Sequence, residues 1–211
     1  PEGWPAIQAG FPPPGFVVKG FPSCTATHAA VACLLDLLAG RPGGADAIRA
    51  IRCSVDPFVP QILLEGLPRT PDEARFNLAW CLASAALDGA LGPDAFEPQA
   101  LARPVLAHLM GRVTIALDPD LPRGPSGIST GAVVTIDFAD GSRAECRRPA
   151  APGSAAAPLT DAELAAKFVG CAAARRGAAT AAGLFAEFLA LPANDDVRPL
   201  MARALTAETR P

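Results

Sequence analysis

Ala29, Ala30, Val31, Cys33, Leu34, Leu35, Leu37 and Leu38 recur at the three- and four-residue spacing of one helix face, and Gly40 stands where such a helix stops. Pro22 biases Phe21 toward extended backbone, so the helix is expected to begin between Ser23 and Thr25, capped by one of those hydroxyls. Upstream, Phe16 to Lys19 reads as a short strand behind a Pro/Gly-rich lead-in over 1–15 whose densest run is Pro12-Pro13-Pro14-Gly15. Ala47 to Val55 alternates as a half-buried strand, with Ile51, Cys53 and Val55 in phase and Ile48 out of it.

Thr70-Pro71-Asp72-Glu73 is a capping box with proline at the first helical position, and it predicts one helix running to Asp88, with Gly89 as a left-handed stop. A further helix is predicted over Pro98 to Met110. Strands follow over 112–117, 132–138 and 143–147, the last two joined by the turn Ala139-Asp140-Gly141. This order of elements predicts an α+β domain over 16–150, with a mixed sheet covered on one face by helices.

A stretch rich in Ala, Pro and Gly over 151–158 reads as a linker to a helical segment over 159–211. There Thr160-Asp161-Ala162-Glu163 opens a helix to Arg176, and helices over 180–191 and 197–206 follow. Leu184, Phe185, Phe188 and Leu189 form a stripe with nothing earlier in the chain reserved to cover it, so these helices are expected to pack on an all-helical domain that this sequence does not include.

Half of the 211 residues are hydrophobic, which is ample for a core. The net charge is −3 and basic runs interleaved with aromatics are lacking, which argues against nucleic-acid binding. Without a signal peptide or an apolar run of membrane length, the expectation is a soluble, cytoplasmic protein with no membrane partner. Six cysteines without a Cys-x-x-Cys pair, and only two histidines, fit neither a zinc site nor a disulfide framework; the thiols are expected to be reduced and no metal is expected. Nor is there a glycine-rich phosphate loop.

Chemistry concentrates in Lys19-Gly20-Phe21-Pro22-Ser23-Cys24-Thr25-Ala26-Thr27-His28. Cys24 and His28 are four apart and share a face of the first helical turn, where the positive end of the helix dipole favours an anion, with Lys19 approaching from the other side. A carboxylate ligand suits such a junction. The alternative is a solvated lysine beside a small buried thiol and a core histidine.

Lys-x-Phe-Pro-x-Cys-x-x-x-His at a helix entry resembles a signature of the MmgE/PrpD family, which includes 2-methylcitrate dehydratase, cis-aconitate decarboxylase and iminodisuccinate epimerase. Two more blocks agree in order. Glu73-Ala74-Arg75-Phe76-Asn77 running to Leu87-Asp88-Gly89 is similar to the family's Glu-Ala-Lys/Arg-Phe-Ser helix closing on Leu-Asp-Gly, and Pro158-Leu159-Thr160-Asp161-Ala162-Glu163-Leu164 ending in Lys167-Phe168 is similar to its Pro-Leu-Ser-Asp-x-Glu-Leu-x-x-Lys-Phe helix.

The resemblance implies a C-terminal portion: a lid domain followed by helices that return to an N-terminal all-helical domain absent here, in an enzyme that is a homodimer when complete. It implies cofactor-free proton transfer next to a carboxylate of a small di- or tricarboxylic acid. Lys19 is then the cation that binds the acid and holds the developing charge. His28 is a second catalytic candidate, orienting Cys24 or the substrate, while Cys24 and Arg75 contribute to substrate binding. Cys24 stands where the decarboxylase carries a histidine, and Phe58-Val59-Pro60 fills the region of its tyrosine in a chain with no tyrosine at all, which favours a dehydratase or isomerase-like member. The family's remaining acid/base groups, an Asp and a His, lie in the helical domain, so this chain alone is expected to be inactive. The rival readings are a non-catalytic lid acting as an interaction module and a cysteine hydrolase built on Cys24 and His28.

Overall fold

The structure is a computed structural model that describes residues 17–124, 126–191 and 196–205. The expected lead-in over 1–15, Phe16 of the expected first strand, and the end of the last expected helix at Thr206 lie outside them. The chain forms two compact units, divided between Pro158 and Leu159.

The first unit is built on a four-stranded mixed sheet in the order β2, β1, β3, β4, where β1 is Ile48–Val55, β2 Val113–Leu117, β3 Ala132–Phe138 and β4 Arg143–Arg148. β1 runs parallel to β2 and antiparallel to β3, which pairs antiparallel with β4. The β3–β4 turn closes as expected, with Gly141 at φ +83° and the Phe138 N–H donating to Ser142 O at 2.9 Å.

Ile48 keeps its place in the core despite its phase. The pairing of β1 with β3 slips between Ile48 and Ala50, and this bulge puts Ile48 on the buried side with Ile51, Cys53 and Val55. Val17 to Lys19, read as strand, carries no strand pairing; Val18 instead donates its N–H to Gly153 O at 3.0 Å, so the segment is pinned to the stretch after β4. Ala151, Pro152 and Gly153 are themselves buried.

Helices cover one face of this sheet. Helix α1, His28–Leu38, lies against β3 and β4 and buries every residue from His28 to Leu34. The predicted single helix from Pro71 to Asp88 is two: α2, Pro71–Arg75, and α3, Leu78–Asp88. Asn77 causes the break, because its Oδ1 accepts the Trp80 N–H at 2.9 Å as a fresh N-cap while its Nδ2 donates to Gly66 O at 2.7 Å. Pro104 likewise starts a new helix inside the predicted third one, giving α4, Pro98–Leu101, and α5, Pro104–Met110. α3 packs between α1, α5 and β2 and is the most deeply buried element, closing on Gly89 at φ +68°. The opposite sheet face is polar: Arg52, Thr135 and Glu145 form one cross-strand row, with Thr135 Oγ1 donating to Glu145 at 3.1 Å.

The loop entering β3 is fastened from below. Asp56, just after β1 and buried, accepts the Phe58 N–H at 2.8 Å and the Ser129 N–H at 3.1 Å. Two residues on, a side chain at Gly131 would place its Cβ 2.6 Å from the Arg148 carbonyl oxygen, so only glycine fits between β3 and the exit of β4. The Phe58 N–H above all, then the Ser129 N–H and the Arg123 charge, hold the Asp56 carboxyl below the usual carboxylate range against the opposing effect of burial. A depressed native pKa gives stability that is complete above the unfolded value of about 3.9 and is lost as the pH falls through the native one. Asp56→Asn turns an NH2 toward one of the two donors and is expected to cost about 1–3 kcal/mol at neutral pH. The gap from wild type in urea midpoint should narrow below about pH 4; a gap that does not narrow as the pH falls below that value would refute the assignment.

In the second unit α6, Asp161–Arg176, opens on the complete capping box read from Thr160 and Glu163, and α7, Ala178–Leu189, and α8, Arg198–Leu205, follow. Here the expected uncovered stripe is corrected in part. Phe168 of α6 lies 5.6 Å from Phe185 and 5.7 Å from Phe188, ring centre to ring centre, and Leu184 is buried, so the helices cover much of the stripe among themselves. Leu189 stays 54% exposed.

Candidate functional site

The junction before α1 is a tight turn followed by a 3-10 turn, Thr25–Thr27, that feeds directly into α1. Neither Ser23 nor Thr25 caps it in the expected manner. Ser23 Oγ and Thr27 Oγ1 lie 2.8 Å apart, both buried, and Thr27 Oγ1 donates to Cys24 O at 2.8 Å, so the hydroxyls tie the turn to itself.

Lys19 and His28 converge on a single acceptor. Lys19 Nζ donates to Ser23 O at 3.2 Å while its side chain stays exposed, and the imidazole Nε2–H of His28 donates to the same carbonyl at 3.3 Å from the interior. His28 is fully buried, with the Phe21 ring edge-on to it at 5.4 Å and 88°. The Ser23 carbonyl is thereby polarised by an ammonium outside and an imidazole inside, and an ammonium has three N–H donors, of which this bond uses one. Cys24 is half-buried beside them.

Arg75 reaches the junction through its backbone. Its carbonyl accepts the Cys24 N–H at 2.9 Å, joining the end of α2 to the entry of α1, whereas its guanidinium pairs with Asp72 at 3.0 Å and sits 5.3 Å from the Phe96 ring centre. The structure thus brings Lys19 and His28 together on Ser23 O, with Cys24 the next residue along the chain, and ties the Arg75 guanidinium to its own helix.

In the sequence Cys81 has no distinction among the six cysteines expected to be reduced. Cys81 rises from α3 beneath the junction, lies near Thr27, Ser23 and Cys24, and its thiol donates to Ala74 O at 3.7 Å. Burial pushes its thiol up to about 12, so it remains a neutral packing group. The Ser23/Thr27 spacing of four was the available signal for the hydroxyl pair; only the approach of α3 reveals the thiol.

Among the described residues, no group of three or more His, Cys, Asp or Glu converges in a way that would hold a metal ion, and no helix is long and apolar enough to cross a membrane. A search of curated proteins gives no significant match. The family model of the MmgE/PrpD C-terminal domain matches residues 21–188, from the turn before α1 to the end of α7. With the helix-entry junction, the α2–α3 block and the capped α6 all inside that span or at its edge, this chain belongs to the MmgE/PrpD family and carries its C-terminal domain.

Proposed function

We propose that this chain is the C-terminal part of a cofactor-independent lyase or isomerase that acts on small di- or tricarboxylic acids by proton transfer next to a carboxylate, in the manner of a 2-methylcitrate dehydratase. The observation that carries the reading is the exposed Lys19 ammonium anchored on Ser23 O at the entry of α1. An ammonium held by one hydrogen bond and free to give others is suited to a substrate carboxylate.

In this reading Lys19 binds the carboxylate adjacent to the reacting carbon. Removal of the proton from that carbon spreads negative charge into the carboxylate, and the fixed ammonium stabilises it more than the ground state. His28 holds the turn from below through the shared carbonyl, Cys24 lines the pocket, and Arg75 fixes the turn through its own carbonyl. The proton-transferring groups belong to an N-terminal helical domain, and the complete enzyme is a homodimer.

The reading is tested by incubating 2-methylcitrate and cis-aconitate in deuterated water with the 211-residue chain and, separately, with the protein that includes the helical domain. The expected result is deuterium at the carbon next to a carboxylate, or product formation, only when the helical domain is present. Turnover by the chain alone refutes the division of roles, and no exchange in either case turns the lid into an interaction module.

A further inference from the structure

A second cluster of reactive side chains lies at the edge of the sheet, apart from the junction. Cys33 and Asp36 are three apart and share one face of α1; Cys146 and Arg148 are two apart and share one face of the edge strand β4, which α1 covers. Cys146 pairs across the sheet with Val134, a fully buried residue, so its side chain points to the helix-covered face. The four side chains meet as two pairs. Arg148 donates to Asp36 Oδ2 from Nη2 at 2.7 Å and from Nε at 3.2 Å, and the Cys33 and Cys146 thiols are neighbours across the helix–strand contact. Cys146 Sγ also lies 3.9 Å from Asp36 Oδ2, and Cys33 Sγ lies 4.0 Å from Ala132 O.

The two thiols differ in access. Cys33 is fully buried, whereas Cys146 is half-exposed at the sheet edge. Burial, then Cys146 itself, push the Cys33 thiol far up, and only the Arg148 charge opposes them. The pair therefore has an outer sulfur that a small reagent can reach, held 3.9 Å from Asp36, and an inner protonated sulfur one turn from Asp36 on the same helix face, the arrangement of an attacking and a resolving cysteine.

We propose that Cys33 and Cys146 form a reversible oxidation site, closing a disulfide between α1 and β4 when a hydroperoxide reaches Cys146. The Cys146 thiolate attacks the peroxide, forming an S–O bond and breaking the O–O bond, so that the distal oxygen leaves as water or an alcohol. The Cys33 sulfur then attacks the sulfenic sulfur; the S–S bond forms, the S–O bond breaks, and the hydroxyl departs as water with the Cys33 proton. Two thiols are oxidised by two electrons and one peroxide is reduced, and thiol–disulfide exchange with a dithiol reverses the change. The bond would lock to the sheet the same helix whose first turn carries the Lys19, Cys24 and His28 junction. The proposal does not depend on the carboxylic-acid reading.

The test is peroxide treatment of the folded 211-residue chain carrying Cys171→Ser, which removes the exposed thiol. The expected product is lighter by two hydrogens, has lost two alkylatable thiols, yields a non-reduced peptide joining Cys33 to Cys146, and is fully restored by dithiothreitol. In Cys33→Ser the reaction should stop at a sulfenic acid on Cys146 that dimedone traps, and in Cys146→Ser the Cys33 thiol should survive. Addition of oxygen to Cys146 in the parent chain without the cross-link, a cross-link through other cysteines, or no reaction at either sulfur would each overturn the proposal. Peptide mapping of the parent chain decides it even if a variant fails to fold.

Discussion

Trp80→Ala is expected to remove about 3–5 kcal/mol of stability from the first unit, which is a large part of what a domain of this size has. Trp80 is fully buried on α3, the element that touches α1, α5 and β2, so the cavity opens where three layers meet. Its indole Nε1–H donates to Ala95 O at 3.1 Å, and the substitution also leaves that buried carbonyl without its donor. Trp80→Phe separates the two contributions: it restores most of the ring volume but not the donor, and should cost about 1–2 kcal/mol. Urea unfolding of the three proteins measures this, with the midpoint falling in the order wild type, Phe, Ala and the slope unchanged. A loss below about 1 kcal/mol for alanine would mean that α3 is not the keystone of the packing.

Lys19→Ala in the complete enzyme is expected to lower kcat/KM by about 2.7–4 kcal/mol, the scale for losing one donor aimed at developing charge. The lysine side chain is exposed and makes one hydrogen bond to its own turn, so the fold should survive with little change. Lys19→Arg should recover little, because a planar guanidinium on a different stem cannot place the charge at the same point. Cys24→Ser should do far less damage, since in the proposed mechanism the thiol lines the pocket and attacks nothing. The comparison of kcat/KM across the three variants is decisive. Near-normal activity in Lys19→Ala, or abolition by Cys24→Ser with Lys19→Ala intact, would reverse the roles and favour a cysteine nucleophile.

What the sequence determined by itself is the set of elements whose signals are local. Thr160 and Glu163 are three apart and satisfy one another's donors within a single turn, so that helix start needs no tertiary contact. Asp140-Gly141 supplies the positive φ that the β3–β4 turn requires, and the apolar face from Ala29 to Leu38 can only be buried as a helix. The Lys19 to His28 motif was legible as a unit because its members are close neighbours in the sequence. Tertiary structure decided the rest. The break at Asn77 depends on Gly66, which lies on a different loop, and the place of Ile48 depends on a slip against β3 that no alternation pattern records. The bond from the Cys24 N–H to the Arg75 carbonyl, which joins α2 to the entry of α1, depends on a packing that local pattern does not announce. The meeting of Cys33 with Cys146, and of Cys81 with Ser23 and Thr27, follows from the strand order β2, β1, β3, β4 and from which helix lies over which strand. Hydrophobic periodicity states which face of an element is buried but not against what, and contacts between distant residues are set only when those faces choose their partners.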